Sequence, residues 1–208
     1  GGVAGADYRW EGDRTFTVER HGHPVARLGL RVPGAHNRLN ATGAFALAVE
    51  LGVEPRVAAD ALTTFRGAHR RLERLGTWRG AEVYDDYGHH PTKVRATLAA
   101  ARELGHRRLI LVFQPHRYSR FTALRDEFAA SLGGADAVVV TEIYGAGEEN
   151  PDGRSGVELA MRVPRARFAR DFGAARDHLE DLVGEGDLVL LMGAGDIRRL
   201  GDELANAG

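Results

Sequence analysis

Cysteine is absent from the 208 residues, which excludes disulfides, thiolate nucleophiles and cysteine-based zinc sites. Lysine is almost absent as well. Lys93 is its one occurrence, so cationic chemistry here is arginine chemistry, a bias consistent with a GC-rich genome. No apolar run approaches the ~20 residues that a membrane-spanning helix needs. The net charge of −1 gives no broad electrostatic reason to expect a nucleic acid or a membrane surface as partner. No glycine-rich loop ends in Lys-Ser or Lys-Thr, so the chain carries no phosphate-cradling P-loop. The opening residues, Gly1 to Asp7, have neither a Met nor a charged-then-apolar signal pattern, and the chain reads as cut from something longer. What is present is 43% hydrophobic and 27% charged residues, enough to pack a core. The expectation is a cytoplasmic α/β protein.

Residues 7–32 alternate polar and apolar side chains in short bursts around Tyr8–Trp10, Thr15–Val18 and Val25–Val32, with breaks such as His21-Gly22-His23-Pro24. They predict a small antiparallel sheet. A helix is expected from Asn40 to Leu51, stopped by Gly52, and another from Pro55 to about Phe65, with Pro55 in its first turn. A domain boundary is expected near Gly76, dividing the chain into 1–76 and 77–208. Beyond it, strands at about 81–85, 108–113, 137–141, 166–169 and 187–192 alternate with helices at about 91–104, 121–132, 155–162 and 173–183. Leu109–Phe113 and Leu188–Met192 are continuous apolar runs, as in parallel strands buried on both faces. The fold class is α/β: a Rossmann-like, mostly parallel sheet with helices on both faces.

The unusual residues follow the strands. Asp85 to Pro91 follow the first strand of the second domain, Gln114 to Arg120 the second, Glu142 to Glu148 the third and Gly193 to Asp196 the last. In a parallel sheet these loops share the carboxyl edge, where ligands bind. Arg117 and Arg120 supply planar forks for a carboxylate or phosphate. Asp85 and Asp86 offer acceptors, and His89, His90 and His116 groups that titrate near neutrality. Paired acids beside paired arginines suit a zwitterion such as an amino acid. Plainer readings stand beside this one. The lesser reading makes Arg117 and Arg120 solvated helix-start residues paired with Asp126 or Glu127. The three histidines match no zinc spacing. Gly193-Ala194-Gly195-Asp196 lacks the third glycine of a dinucleotide loop. In the first domain, Asn37 and Asn40 stand at a helix start, where one of them could be the cap.

These segments resemble the Mur ligase family. The matching motifs are Gly34-x-His36-Asn37-x-x-Asn40-Ala41, Phe65-x-Gly67-x-x-Arg70-Arg71, Asp85-Asp86-Tyr87-Gly88-His89-His90-Pro91-Thr92 and Phe113-Gln114-Pro115-His116-Arg117-Tyr118-Ser119-Arg120. Ile143-Tyr144 with Ala146-Gly147-Glu148, and Met192-Gly193-Ala194-Gly195-Asp196-Ile197, complete the set. The second pair of motifs is similar to the L-alanine-adding branch. The resemblance implies a three-domain, ATP-dependent ligase, with residues 1–76 the end of its α/β ATPase domain and 77–208 its amino-acid-binding domain. It implies ATP, UDP-N-acetylmuramate and L-alanine as substrates, with Mg2+ ligands and the P-loop upstream, so this stretch alone is expected to be inactive. By the same resemblance His36, Asn37, Asn40, Arg71 and Asp86 would serve the nucleotide. Tyr87, His89, His116, Arg117 and Arg120 would form the L-alanine pocket. No catalytic residue and no metal ligand is assigned within the chain. Three positions depart from the family pattern: Lys93 for an acid, Gly145 for a proline and Ser119 for a threonine. The alternatives are a murein-tripeptide recycling ligase of the same family and a non-catalytic nucleotide- or amino-acid-binding module.

Overall fold

The computed structural model describes residues 7–208; the residues before Asp7, read above for a signal pattern, lie outside them. The chain forms two compact units that part between Gly67 and Ala68, upstream of the boundary expected near Gly76. The reason is local. Glu73–Trp78 is a strand, not a linker, and it pairs antiparallel with the strand at Ala81–Asp86.

The first unit has three antiparallel strands, β1 (Tyr8–Gly12), β2 (Thr15–Arg20) and β3 (His23–Gly29). Two helices follow, α1 (Ala35–Glu50) and α2 (Pro55–Thr63). Phe16, Val18, Leu28 and Phe45 are buried together as its core. Glu54 caps α2, accepting from the backbone N–H groups of Arg56 and Val57. Helix α1 starts about a turn earlier than its pattern suggests, with Gly34 at its cap and no side-chain cap bond. Neither Asn37 nor Asn40 caps it, which corrects the plainer reading of that pair. Both lie inside the helix, and the Asn37 amide donates back to the Pro33 carbonyl at 2.7 Å.

The second unit is built on a six-stranded sheet. Its strands are β4 (Glu73–Trp78), β5 (Ala81–Asp86), β6 (Leu109–Phe113), β7 (Ala137–Thr141), β8 (Arg167–Ala169) and β9 (Leu188–Met192), in the order β4-β5-β9-β6-β7-β8. Only β4 runs antiparallel; β5, β9, β6, β7 and β8 are parallel. The helices are α3 (Pro91–Arg102), α4 (Tyr118–Leu132), α5 (Val157–Ala160), α6 (Phe172–Leu182) and α7 (Arg198–Asn206). Strand pleating sorts the apolar runs between two cores. Leu109, Leu111, Phe113, Leu188, Leu190 and Met192 pack with Val94 and Leu98 of α3 and Phe121 and Phe128 of α4. Ile110, Val112, Val189 and Leu191 pack with Leu179 of α6 and with Leu200 and Leu204 of α7. Two covered faces are what makes those runs continuous in the sequence. Strand β4 and helix α7 were not expected.

Candidate functional site at the carboxyl edge of the sheet

Strand β5 ends in two acids that both prove to be occupied. Asp85 is fully buried. Its Oδ2 accepts from Arg70 Nε at 3.0 Å and lies 3.3 Å from Arg198 Nη1. The Arg70 fork also donates to the Gly193 carbonyl at 2.8 Å and to the Gly195 carbonyl at 3.5 Å. One guanidinium therefore ties the end of β5 to the loop after β9. Asp86 is buried on the other side of the strand. Its carboxylate accepts from the N–H groups of Leu72 (2.9 Å) and Gly88 (2.7 Å). Burial pushes the Asp86 carboxyl above the usual range, against the pull of those bonds. The next residue, Tyr87, carries Arg70 and Arg71 over its ring, 4.9 and 5.8 Å from the centroid.

The turn between β6 and α4 presents His116, Arg117 and Arg120. Arg117 is the cap residue of α4, at φ 68° and ψ 130°, a conformation that costs a non-glycine residue on the order of 1–3 kcal/mol. The loop after β7 holds it there. Arg117 N–H donates to the Tyr144 carbonyl at 2.8 Å, and Tyr144 N–H donates to the Pro115 carbonyl at 2.9 Å. Glu148 then closes over the first turn of α4, accepting from Ser119 N–H at 3.0 Å and Ser119 Oγ at 2.7 Å. The Arg117 guanidinium is about half exposed, 3.6 Å from Glu148.

Aromatic rings line the space between these loops. Tyr144 stacks on His116 at 5.7 Å and 14°, His116 lies 5.8 Å from His89, and His89 meets the edge of Tyr87 at 5.2 Å. Burial, then the Arg120 charge, lowers the His116 pKa. Burial also lowers that of His89, helped by Arg120, Lys93 and Arg71. Both shifts favour the neutral ring. His116 Nδ1, 3.1 Å from Arg120 Nη1, faces a group that can only donate and so acts as acceptor. His89 Nδ1, 2.9 Å from the Tyr87 carbonyl, must donate. In the neutral ring its Nε2 then carries the lone pair.

The expected residues divide between the two units, and some of the plainer readings are corrected. Arg71, Asp86, Tyr87, His89, His116, Arg117 and Arg120 all lie in the second unit, along the loops of one sheet edge. His36, Asn37 and Asn40 lie in the first unit, in α1. Arg117 and Arg120 pair with neither Asp126 nor Glu127. Asp126 instead faces Arg125 and Arg162. Asp85 and Asp86 are not the open acids of a zwitterion site, because both are buried and bonded; the acid facing Arg117 is Glu148. Among the described residues, no group of three His, Cys, Asp or Glu is placed to hold a metal ion. His90 is used as the cap of α3, its Nδ1 accepting from Thr92 N–H at 3.4 Å. The sequence named Arg70, Tyr144 and Glu148 within motifs but gave them no task.

The departures also acquire reasons. A Cβ on Gly145 would stand 2.8 Å from the Tyr118 ring, so a side chain there would require that ring to shift. Ser119 keeps the hydroxyl that Glu148 needs, and Lys93 is exposed on α3. Gly195 has no room for a side chain. Its Cβ would meet Tyr144 Cγ at 2.6 Å and collide with Gln114 Oε1.

The family model described as Mur ligase, glutamate ligase domain, matches residues 70–195. The UDP-N-acetylmuramate–L-alanine ligase of Gloeobacter violaceus is 47% identical over 194 residues, covering 91% of this chain and 42% of that protein. Among solved structures, the UDP-N-acetylmuramate-alanine ligase of Thermotoga maritima superposes with a TM-score of 0.79 at 30% identity, over 98% of this chain and 46% of that one. A murein peptide ligase from Psychrobacter arcticus gives 0.67 at 26% identity, over 98% and 44%. The chain thus spans less than half the length of these relatives.

Proposed function

Since this chain belongs to the Mur ligase family, we propose that it is the carboxy-terminal part of an ATP-dependent ligase joining L-alanine to UDP-N-acetylmuramate in peptidoglycan precursor synthesis. The first unit is read as the end of the ATPase domain and the second as the domain that holds the amino acid. In the reaction so read, ATP converts the muramyl carboxylate into an acyl phosphate, and the amine of L-alanine displaces the phosphate. Positioning and charge stabilisation do most of the work in such transfers. His36, Asn37, Asn40 and Arg71 are assigned to the nucleotide by their place in the family motifs. Asp86 goes with them, although its two oxygens already accept backbone N–H groups and only their remaining lone pairs are left for a ligand. The magnesium implied by this reading finds no ligand group among the described residues, so no step is routed through it.

The observation that carries the reading is Arg117. Its guanidinium is half exposed, is lifted to the sheet edge by a strained turn, and has one partner among the described residues, 3.6 Å away. That leaves a fork open to an incoming carboxylate, on the same turn as His116 and Arg120. The test is Arg117→Ala in the complete enzyme. A charge-assisted bond is worth roughly 1.5–3 kcal/mol, and about 1.4 kcal/mol is tenfold in affinity, so the KM for L-alanine should rise roughly 10–100-fold. The KM for ATP should stay where it is. Arg117→Lys should recover only part of the loss, because an ammonium keeps the charge and not the fork. An unchanged KM for L-alanine would place the amino acid elsewhere.

A further inference from the structure

Glu148 belongs to a motif that neither the nucleotide nor the alanine assignment absorbs, yet its carboxylate sits at the centre of the turn that presents Arg117. Three observations define its task. Both of its oxygens are engaged by the first turn of α4, through Ser119 N–H at 3.0 Å and Ser119 Oγ at 2.7 Å. It is the acid facing the Arg117 guanidinium, at 3.6 Å. The same loop supplies the Tyr144 carbonyl that receives Arg117 N–H at 2.8 Å, and Arg117 itself stands at φ 68°. A strained residue persists only where its surroundings over-determine it, and the surroundings here are the segment Tyr144–Glu148.

We propose that Glu148 is a positioning residue. It clamps the start of α4 so that Arg117 keeps the backbone twist and side-chain direction needed to meet an amino-acid carboxylate. The proposal rests on the alanine-pocket reading for its substrate, but not for its geometry. Its charge also matters. The bonds from Ser119 hold the Glu148 carboxyl below the usual range, so it stays an anion at neutral pH. Held by both bonds from Ser119, it stands 3.6 Å from one Arg117 nitrogen, which leaves the other N–H groups of the fork for a substrate carboxylate. Glu148 therefore orients the fork without closing it.

The variants are Glu148→Ala, which removes clamp and charge, and Glu148→Gln, which leaves an acceptor for Ser119 and removes the charge. In the complete enzyme, Glu148→Ala should raise the KM for L-alanine roughly tenfold, as expected for losing part of a charge-assisted arrangement. The kcat at saturating L-alanine and the KM for ATP should hold. Glu148→Gln should show the same change in smaller measure. On an Arg117→Ala background, Glu148→Ala should add almost nothing, because a residue that acts through Arg117 has no effect without it. A merely structural residue would lower kcat and would add to Arg117→Ala. A second measurement needs no substrate: amide exchange at Arg117 should quicken at least about tenfold in Glu148→Ala, since local opening of the turn is what that amide reports. An unchanged or lowered KM for L-alanine, additivity with Arg117→Ala, or unaltered exchange at Arg117 would each overturn the clamp. If the unmutated enzyme does not ligate L-alanine at all, the functional reading falls. The exchange result then still decides whether Glu148 holds the turn.

Discussion

Arg70 offers the sharpest test of how the sheet edge is held together, because the acid it serves has no access to water. Asp85 is fully buried, and its Oδ1 has no hydrogen-bond partner among the described residues. Its Oδ2 depends on Arg70 at 3.0 Å and Arg198 at 3.3 Å. Replacing Arg70 with Met keeps most of the packing volume but leaves Asp85 with the weaker partner and strips the Gly193 carbonyl of its 2.8 Å donor. Breaking a buried ion pair outright costs about 3–5 kcal/mol. Because Arg198 remains and Arg70 is itself partly exposed, we expect roughly half of that, about 2 kcal/mol. At about 2–4 °C per kcal/mol for a chain of this size, the melting temperature should fall by roughly 4–8 °C. Trp10 lies in the first unit and Trp78 in the second. On a Trp10→Phe background the fluorescence of Trp78 follows the second unit alone through urea. Asp85→Asn added to Arg70→Met should return part of the loss, because a neutral amide needs no counter-charge. A single-variant loss below about 0.5 kcal/mol, the size of an exposed pair, or no recovery in the double variant, would refute the argument.

Two further predictions concern the same edge. Arg117→Gly should be more stable than Arg117→Ala by about 1 kcal/mol in urea, since both lose the guanidinium but only glycine is at ease at that backbone angle; equal midpoints would mean the turn is not strained. Glu73 is held down from 4.5 to about 2, first by its bond from the Arg198 guanidinium. A lowered carboxylate contributes stability above its unfolded pKa and loses it as pH falls toward the folded one. Glu73→Gln should therefore flatten the decline in urea midpoint between pH 4.5 and about 2, and an acid limb as steep as in the unmutated chain would show that Glu73 contributes nothing there.

The parallel core of the second unit was legible because burial on both faces leaves a signature that needs no partner to read. Leu109–Phe113 and Leu188–Met192 are apolar at every position since each face meets helices. Strand β4 was hidden for the opposite reason. An antiparallel edge strand reading Glu-Arg-Leu-Gly-Thr-Trp shows its partners only once β5 is beside it. Helix α7 is short and interrupted by Gly201, and its apolar face becomes visible only where Leu200 and Leu204 meet the sheet. That glycine is there for close approach, as a Cβ would stand 2.6 Å from Leu75.

At the site, residue types were legible and partnerships were not. Asp85 and Asp86 read as paired acceptors because they are adjacent, but adjacency in a strand sends side chains to opposite faces. Asp85 meets Arg198 at the start of α7, while Asp86 bonds with Thr97 of α3 on the other side. Two such acids cannot serve one ligand together. The acid that does face Arg117 lies a whole helix and strand further on, in the loop after β7. A carboxylate brought to an arginine by parallel strand order has no spacing rule in the sequence, since the separation depends on the length of the intervening helix. That is why a motif containing Glu148 could be recognised without its task. It is also why the strained backbone of Arg117, invisible in any one-letter string, is what connects the two.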